Sequence, residues 1–405
     1  MSSTDTLLGD IIKPATLRRA GTEELPILSM TMRDGLVDQA DKFKKRVASA
    51  DTSAYRVVDR GQLVVGFPID EGVLSFQRLY DSAIVSPAYE IWDLMDPDSV
   101  SRDFLERFLR SPRALSYYTA KLQGSTARRR SLPRDIFLAL PVPLPSFGEQ
   151  ERIAAVLDQV ESLRAKRREA IGLLDDLSAS IFLDMFGDPL QNSQGWDRLP
   201  MSDFLTGIES GKSPQCLERQ AEGEEWGVLK LGSVTRCVYL QEENKALPSE
   251  VAPDARKEVK AGDLLFTRKN TPDLVAASAY VRSTRSKLLM PDLIFRLDVA
   301  DGAQVDKVYL HALLTHPSKR RRIQELATGS SASMVNISKA KLLALVCEIP
   351  PLEMQREFAQ RVDAVEGEKE IHRTHLAALD ELFTSLQHRA FSGTLWDDEA
   401  PGEAA

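Results

Sequence analysis

Leu174-Asp175-Asp176-Leu177 returns, at an offset of 205 residues, as Leu379-Asp380-Glu381-Leu382. The same offset pairs Gly124-Ser125 with Gly329-Ser330, Pro145 with Pro350, Gln150 with Gln355, Asp158 with Asp363 and Phe186 with Phe391. Upstream it pairs Phe104-Leu105 with Tyr309-Leu310, Leu109 with Leu314 and Pro112 with Pro317. Further back the register shortens, so that Gly61-Gln62-Leu63 fits Gly262-Asp263-Leu264 and Asp10-Ile11-Ile12 fits Asp203-Phe204-Leu205. A gapless self-match of this length means one structural plan written twice, with the first copy shorter near its start.

Each copy ends in a long helix. Ser146-Phe147-Gly148-Glu149 reads as a capping box. Beyond it Ile153, Val156, Val160, Leu163, Ala170, Leu174, Leu177 and Ile181 recur at alternating three- and four-residue steps, interrupted by Arg167, which is a heptad seam. Gly187-Asp188-Pro189 ends it. In the second copy Pro351 suits the first helical position. Phe358, Val365, Leu379, Leu382 and Leu386 carry the seam on to Gly393, through a polar middle at Glu368, His372 and His375. A helix of some thirty residues is about 50 Å long, and one apolar stripe on it requires a partner. The other copy is the obvious one, packed antiparallel.

The rest of each copy is globular. Leu63–Val65, Asp263–Thr267 and Leu293–Leu297 read as strands, and a helix precedes Ser111-Pro112 and His316-Pro317. The expected fold is α/β or α+β. Two tandem domains, 1–144 and 191–348, are separated and followed by long helices, 145–190 and 349–393, that pair as an antiparallel coiled coil about a pseudo-twofold. Residues 394–405 form an acidic, disordered tail. Two unlike heads on such a spacer would suit two unlike half-sites of a duplex, whose backbone shares that symmetry.

Composition sets bounds. The 405 residues are 43% hydrophobic and 28% charged, which is globular. Met1–Asp10 lacks a signal-peptide pattern and no apolar run is long enough to span a bilayer. Cys216, Cys237 and Cys347 are scattered without metal-type spacing, which suits reduced thiols in a cytoplasmic protein. The formal net charge of −8 disfavours a uniformly basic nucleic-acid surface and leaves room only for local patches.

Pro141-Val142-Pro143-Leu144-Pro145-Ser146-Phe147-Gly148-Glu149-Gln150-Glu151-Arg152-Ile153 resembles the proline-rich, EQ-containing entry to the conserved helix of the specificity subunits of type I restriction–modification systems. Leu163-Arg164-Ala165-Lys166-Arg167-Arg168-Glu169 and Phe182-Leu183-Asp184-Met185-Phe186-Gly187-Asp188-Pro189 continue that pattern. Ile349-Pro350-Pro351-Leu352-Glu353-Met354-Gln355 repeats the entry, with Met354 where the family usually has Glu. The resemblance covers essentially the whole chain. It implies a subunit without catalysis of its own, whose two target recognition domains each read half of a bipartite site in double-stranded DNA. It also implies helices that set the spacer and dock two modification (methyltransferase) subunits, which bring S-adenosylmethionine and methylate adenine. A motor–nuclease restriction subunit could join. The second domain keeps the family's turn at Gly211-Lys212-Ser213-Pro214, whereas the shorter first domain has no counterpart. Tight DNA reading is therefore expected only alongside the modification subunits.

Basic clusters supply the candidate DNA contacts: Arg128, Arg129 and Arg130; Lys212 and Ser213 at the turn; Arg268, Lys269 and Asn270 after a strand; and Lys319, Arg320, Arg321 and Arg322 after the His316-Pro317 break. For any single residue a solvated charged face is an even alternative. Arg164, Lys166, Arg167 and Arg168 lie on the helix and suit a subunit-facing or solvent role. Gly207–Ser213 has three residues between its glycines where a phosphate loop needs four. Asp254, Glu258 and Lys260 are too close in sequence for a metal-dependent nuclease core. His372 and His375 lack a third ligand, so no metal is expected, and no methyltransferase motif is present. A protein-binding scaffold and an enzyme built on those imperfect motifs remain the competing function classes.

Overall fold

In each half of the sequence the β-rich runs form a four-stranded antiparallel sheet. The first has strand order Ile12–Pro14, Glu90–Leu94, Leu63–Val65, Leu74–Phe76, and the second Leu205–Ser210, Ile294–Val299, Leu264–Thr267, Ser278–Tyr280. The central strands are nearly all apolar and buried on both faces: Leu63, Val64 and Val65 in one, Leu264, Leu265 and Phe266 in the other. The computed structural model describes residues 5–32, 34–42, 51–122, 132–331 and 334–395. Gly124, Ser125, Arg128, Arg129, Arg130 and the tail from 396 onward lie outside the described residues. The sheets and their flanking helices make a mixed α and β fold, as the sequence pattern implies.

The chain divides into two compact units, residues 1–168 with 374–405, and residues 169–373. The long helices, Phe147–Phe186 and Leu352–Ser392, each have one part in either unit. Gly187 and Gly393, with φ of 74° and 78°, follow their last turns in the left-handed conformation that glycine adopts freely.

Within the first unit the core joins sheet, short helices and both long helices. Phe391 packs edge-on against Phe104 and Phe108, beside Ile153, Ala154 and Leu157. The second unit repeats this: Phe186 meets Tyr309 and Phe358 edge-on. Each residue of the second set stands 205 from its counterpart: 186 to 391, 104 to 309 and 153 to 358.

The polar contacts repeat as well. Gln150, fully buried, accepts from the amide of Ser101 at 2.8 Å and donates to the carbonyls of Ser99 and Pro145 at 3.0 and 2.9 Å. Gln355, equally buried, accepts from Asp306 at 2.8 Å and donates to Gln304 and Pro350 at 3.0 and 2.6 Å. In the first unit Arg164 pairs with Asp380 at 2.6 Å and with Glu161, its guanidinium 4.5 Å from the centre of the Phe383 ring. In the second, Lys369 pairs with Asp175 at 2.6 Å and with Glu366. These contacts run antiparallel within each unit: 153 lies in the same core as 391, and 164 pairs with 380.

The buried stripe differs from the expected seam. Ile153, Val160, Phe358 and Val365 are buried, and Val156, Leu174, Ile181, Leu379 and Leu386 are half-buried. Leu163, Leu177 and Leu382 are exposed. The stripe follows Ile153, Leu157, Val160 and Arg164, so that Leu157 and the half-buried Arg164 stand in for Val156 and Leu163; in the polar middle of the second helix the buried residue is Lys369. Cys216, Cys237 and Cys347 are free thiols, and burial pushes that of Cys347 up to about 12.

Replacing Gln150 by Ala strands a buried amide and two carbonyls, so Gln150→Ala should cost about 2–4 kcal/mol. Hydrogen exchange should quicken in the first unit only, and Gln355→Ala should do the same in the second; denaturant titration followed by mass-spectrometric exchange checks both.

Candidate nucleic-acid interface

The register of the second sheet brings several loops to one end. Ser210 faces Phe295, and Thr267 faces Ile294. The segments beginning at Gly211 and Arg268 and the segment ending at Leu293 therefore emerge side by side. Main-chain bonds stitch them: Gly211 donates to Pro291 at 3.1 Å and Arg268 to Leu293 at 3.1 Å, while Ile337 donates to the carbonyl of Arg268 at 2.8 Å. Gly211 is sterically required, because a Cβ there would overlap the carbonyl of Met290. Ser213 shares its hydroxyl with the carboxylate of Asp292 and accepts from that residue's amide at 3.2 Å.

On this platform Lys212 and Ser213 are exposed, and Arg268 and Lys269 are half-buried. The Arg268 guanidinium stands 5.2 Å from the Phe295 ring centre, and its Nε donates to Asn336 at 3.1 Å. Glu209, at the strand end, would repel a phosphate, but hydrogen bonds from Lys257 and Arg296 hold its carboxyl below the usual range and offset its charge. Gly207 lies inside the strand Leu205–Ser210, so Gly207–Ser213 is no phosphate loop.

Two candidate contacts are corrected. Asn270 is buried in a strand pair with Val335, its side chain accepting from the amide of Thr271 at 2.8 Å. Lys319, 3% exposed, binds Glu348 at 2.6 Å and the Val346 carbonyl at 2.7 Å. The helix Pro317–Gln324 turns Lys319 and Ile323 inward, four residues apart. Arg320 donates to the carbonyl of Asp273 at 3.3 Å, in the loop after Asn270, and Arg321 and Arg322 are exposed, Arg322 paired with Glu325. Arg164 and Arg168 both pair with Asp380 and Glu161, so they serve the helix contact of the first unit.

The corresponding end of the first sheet is chemically different. Val64 faces Ile91 as Leu265 faces Arg296, and Pro14 faces Trp92 as Ile208 faces Leu297. Just beyond, where the second unit has Gly211 and Arg268, stand Leu17 and Phe67, 58% and 55% exposed. Sequence reading missed both, since an isolated apolar residue in a loop carries no pattern.

The groups of the competing enzyme readings do not converge. Asp254 pairs with Arg256, while Glu258 accepts from the amide of Lys287. Among the described residues no three His, Cys, Asp or Glu side chains gather to hold a metal, and no helix is long and apolar enough to cross a membrane.

No family model matches the chain. It is 28% identical over 176 residues to the specificity subunit of the type I restriction enzyme EcoEI of Escherichia coli, covering 43% of this chain and 30% of that protein. It is 25% identical over 289 residues to the EcoKI specificity subunit of Escherichia coli strain K12, covering 65% of this chain and 60% of that protein. The chain thus spans between about a third and three-fifths of the curated relatives it matches. The fold is similar to the type I restriction–modification S subunit from M. genitalium, with a TM-score of 0.58 at 13% identity over 96% of both chains. It is also similar to a chain from a structure describing complex assembly and conformational transition of the type I system, with a TM-score of 0.52 at 17% identity over 96% of this chain and 97% of that one. The sequence resemblance to type I specificity subunits is therefore matched by named relatives and by the fold.

Lys319→Ala removes the buried partner of Glu348, leaving it, among the described residues, only Arg198 at 3.6 Å, and should cost about 3 kcal/mol. Arg321→Ala, on the exposed side of the same helix, should change stability by less than about 0.5 kcal/mol. Thermal unfolding of the two variants checks the division.

Proposed function

We propose that this chain is the DNA-reading subunit of a type I restriction–modification complex and performs no chemistry itself. Each unit grips one half of a bipartite target in double-stranded DNA with the end of its four-stranded sheet. The paired long helices set the spacer and hold two modification subunits. Those subunits carry S-adenosylmethionine and methylate adenine, and a motor–nuclease subunit joins where restriction accompanies modification.

One observation carries this reading: two units with the same internal contacts end in sheet edges of different chemistry. The equivalence of Gln150 with Gln355 and of Arg164–Asp380 with Lys369–Asp175 supports a common scaffold. The contrast of Leu17 and Phe67 with Lys212, Ser213, Arg268 and Lys269 supports two different readings of DNA. Cations and hydroxyls suit phosphates and polar base edges, whereas apolar side chains suit the thymine methyl. Local cations also reconcile a net charge of −8 with a polyanionic partner.

Replacing residues 1–144 by the corresponding domain of another specificity subunit should change one half of the methylated motif and leave the other intact. Genome-wide mapping of methylated adenines reads the result. A motif unchanged in both halves, with the complex assembled, would sink the proposal in favour of a protein-binding scaffold.

A further inference from the structure

Arg134 opens the short helix Arg134–Leu138, and Lys339 opens its counterpart, Lys339–Leu343. Their numbers differ by the repeat offset, 134 to 339. Each cation stands over a buried ring on the same strand of its sheet, the two rings two residues apart in the repeat register: the Arg134 guanidinium lies 5.3 Å from the centre of Trp92, and the Lys339 ammonium 5.6 Å from that of Phe295. Both rings are 1% exposed. The negative face of such a ring attracts a cation and narrows its range of positions. The charged heads nevertheless remain in solvent, with Lys339 exposed and the Arg134 side chain 55% exposed. Arg134 gives one Nη2 hydrogen bond to Glu90 at 2.9 Å. A guanidinium has five N–H donors in all, so further acceptors can be served.

Around these two cations the sheet ends have diverged: Leu17 and Phe67 in one, Ser213, Arg268 and Lys269 in the other. Two half-sites of unlike sequence present the same chemistry only in their sugar–phosphate backbone. A contact that differs between the units can specify bases, whereas one kept in both can serve only what the half-sites share. We infer that Arg134 and Lys339 are an equivalent pair of phosphate contacts, one for each half-site, held in place by the rings beneath them. This rests on the DNA-reading function proposed above.

The test uses the complex assembled with its modification subunits, binding cognate and non-cognate duplexes between 50 and 200 mM salt. Each contacted phosphate contributes about 0.9 to the slope of log affinity against log salt. Arg134→Gln and Lys339→Gln should each lower that slope by about 0.9, and the double variant by about twice as much. The loss should be alike on both duplexes, with the methylated motif unaltered. Arg134→Lys and Lys339→Arg should keep the slope, which separates loss of charge from loss of folding. An unaltered slope in the Gln variants overturns the inference while leaving the DNA-reading function standing. So does a loss confined to cognate DNA, which would make these residues base readers, or a loss equally produced by the charge-conserving variants. Absence of any salt-dependent duplex binding by the unsubstituted complex overturns both.

Discussion

A buried carboxamide joins each long helix to the domain before it. Gln150 and Gln355 sit one turn into their helices, and each binds one amide and one carbonyl of the chain that leads into a packed short helix, together with the carbonyl of the proline before its own helix. Buried main-chain groups without partners are costly, and a glutamine side chain offers both a donor and an acceptor at one point. The direction in which the helix leaves the domain is thereby tied to the start of the helix Arg102–Leu109 in one unit and Lys307–Thr315 in the other. A hydrophobic side chain at that point would leave three polar groups unanswered.

The helix contacts use charge where a simple coiled coil would use leucine. Arg164, half-buried, pairs with Asp380, and Lys369, buried, pairs with Asp175. Such pairs contribute little net stability, since removing charge from water is expensive. They do select a register, because sliding either helix would leave a cation among apolar side chains. Leu163, Leu177 and Leu382, expected on the seam from the heptad pattern, are exposed, while the adjacent Arg164, Ser178 and Phe383 are half-buried.

The same plan serves different ends at the sheets. Strand pairing sets where loops emerge, so an identical frame can carry Leu17 and Phe67 in one unit and Lys212, Arg268 and Lys269 in the other. Backbone stitching among the segments at Gly211, Arg268, Leu293 and Ile337 makes the second platform a fixed surface rather than separate loops.

By itself the sequence determined the repeat, the two long helices with their glycine stops, and the mixed α and β character of the domains, because each depends on local pattern or on self-similarity. It pointed to Lys212 and Ser213 at a turn and to Arg268, Lys269 and Asn270 after a strand, though not that these segments emerge at one end of a sheet. Tertiary structure alone decided that Asn270 and Lys319 face inward and that Leu17 and Phe67 face out. Burial depends on which neighbours a residue meets, and those neighbours lie far away in the chain: Val335 for Asn270, Glu348 for Lys319. The inner stripe of the helices was settled in the same way, by partners some two hundred residues distant, such as Asp380 for Arg164 and Asp175 for Lys369.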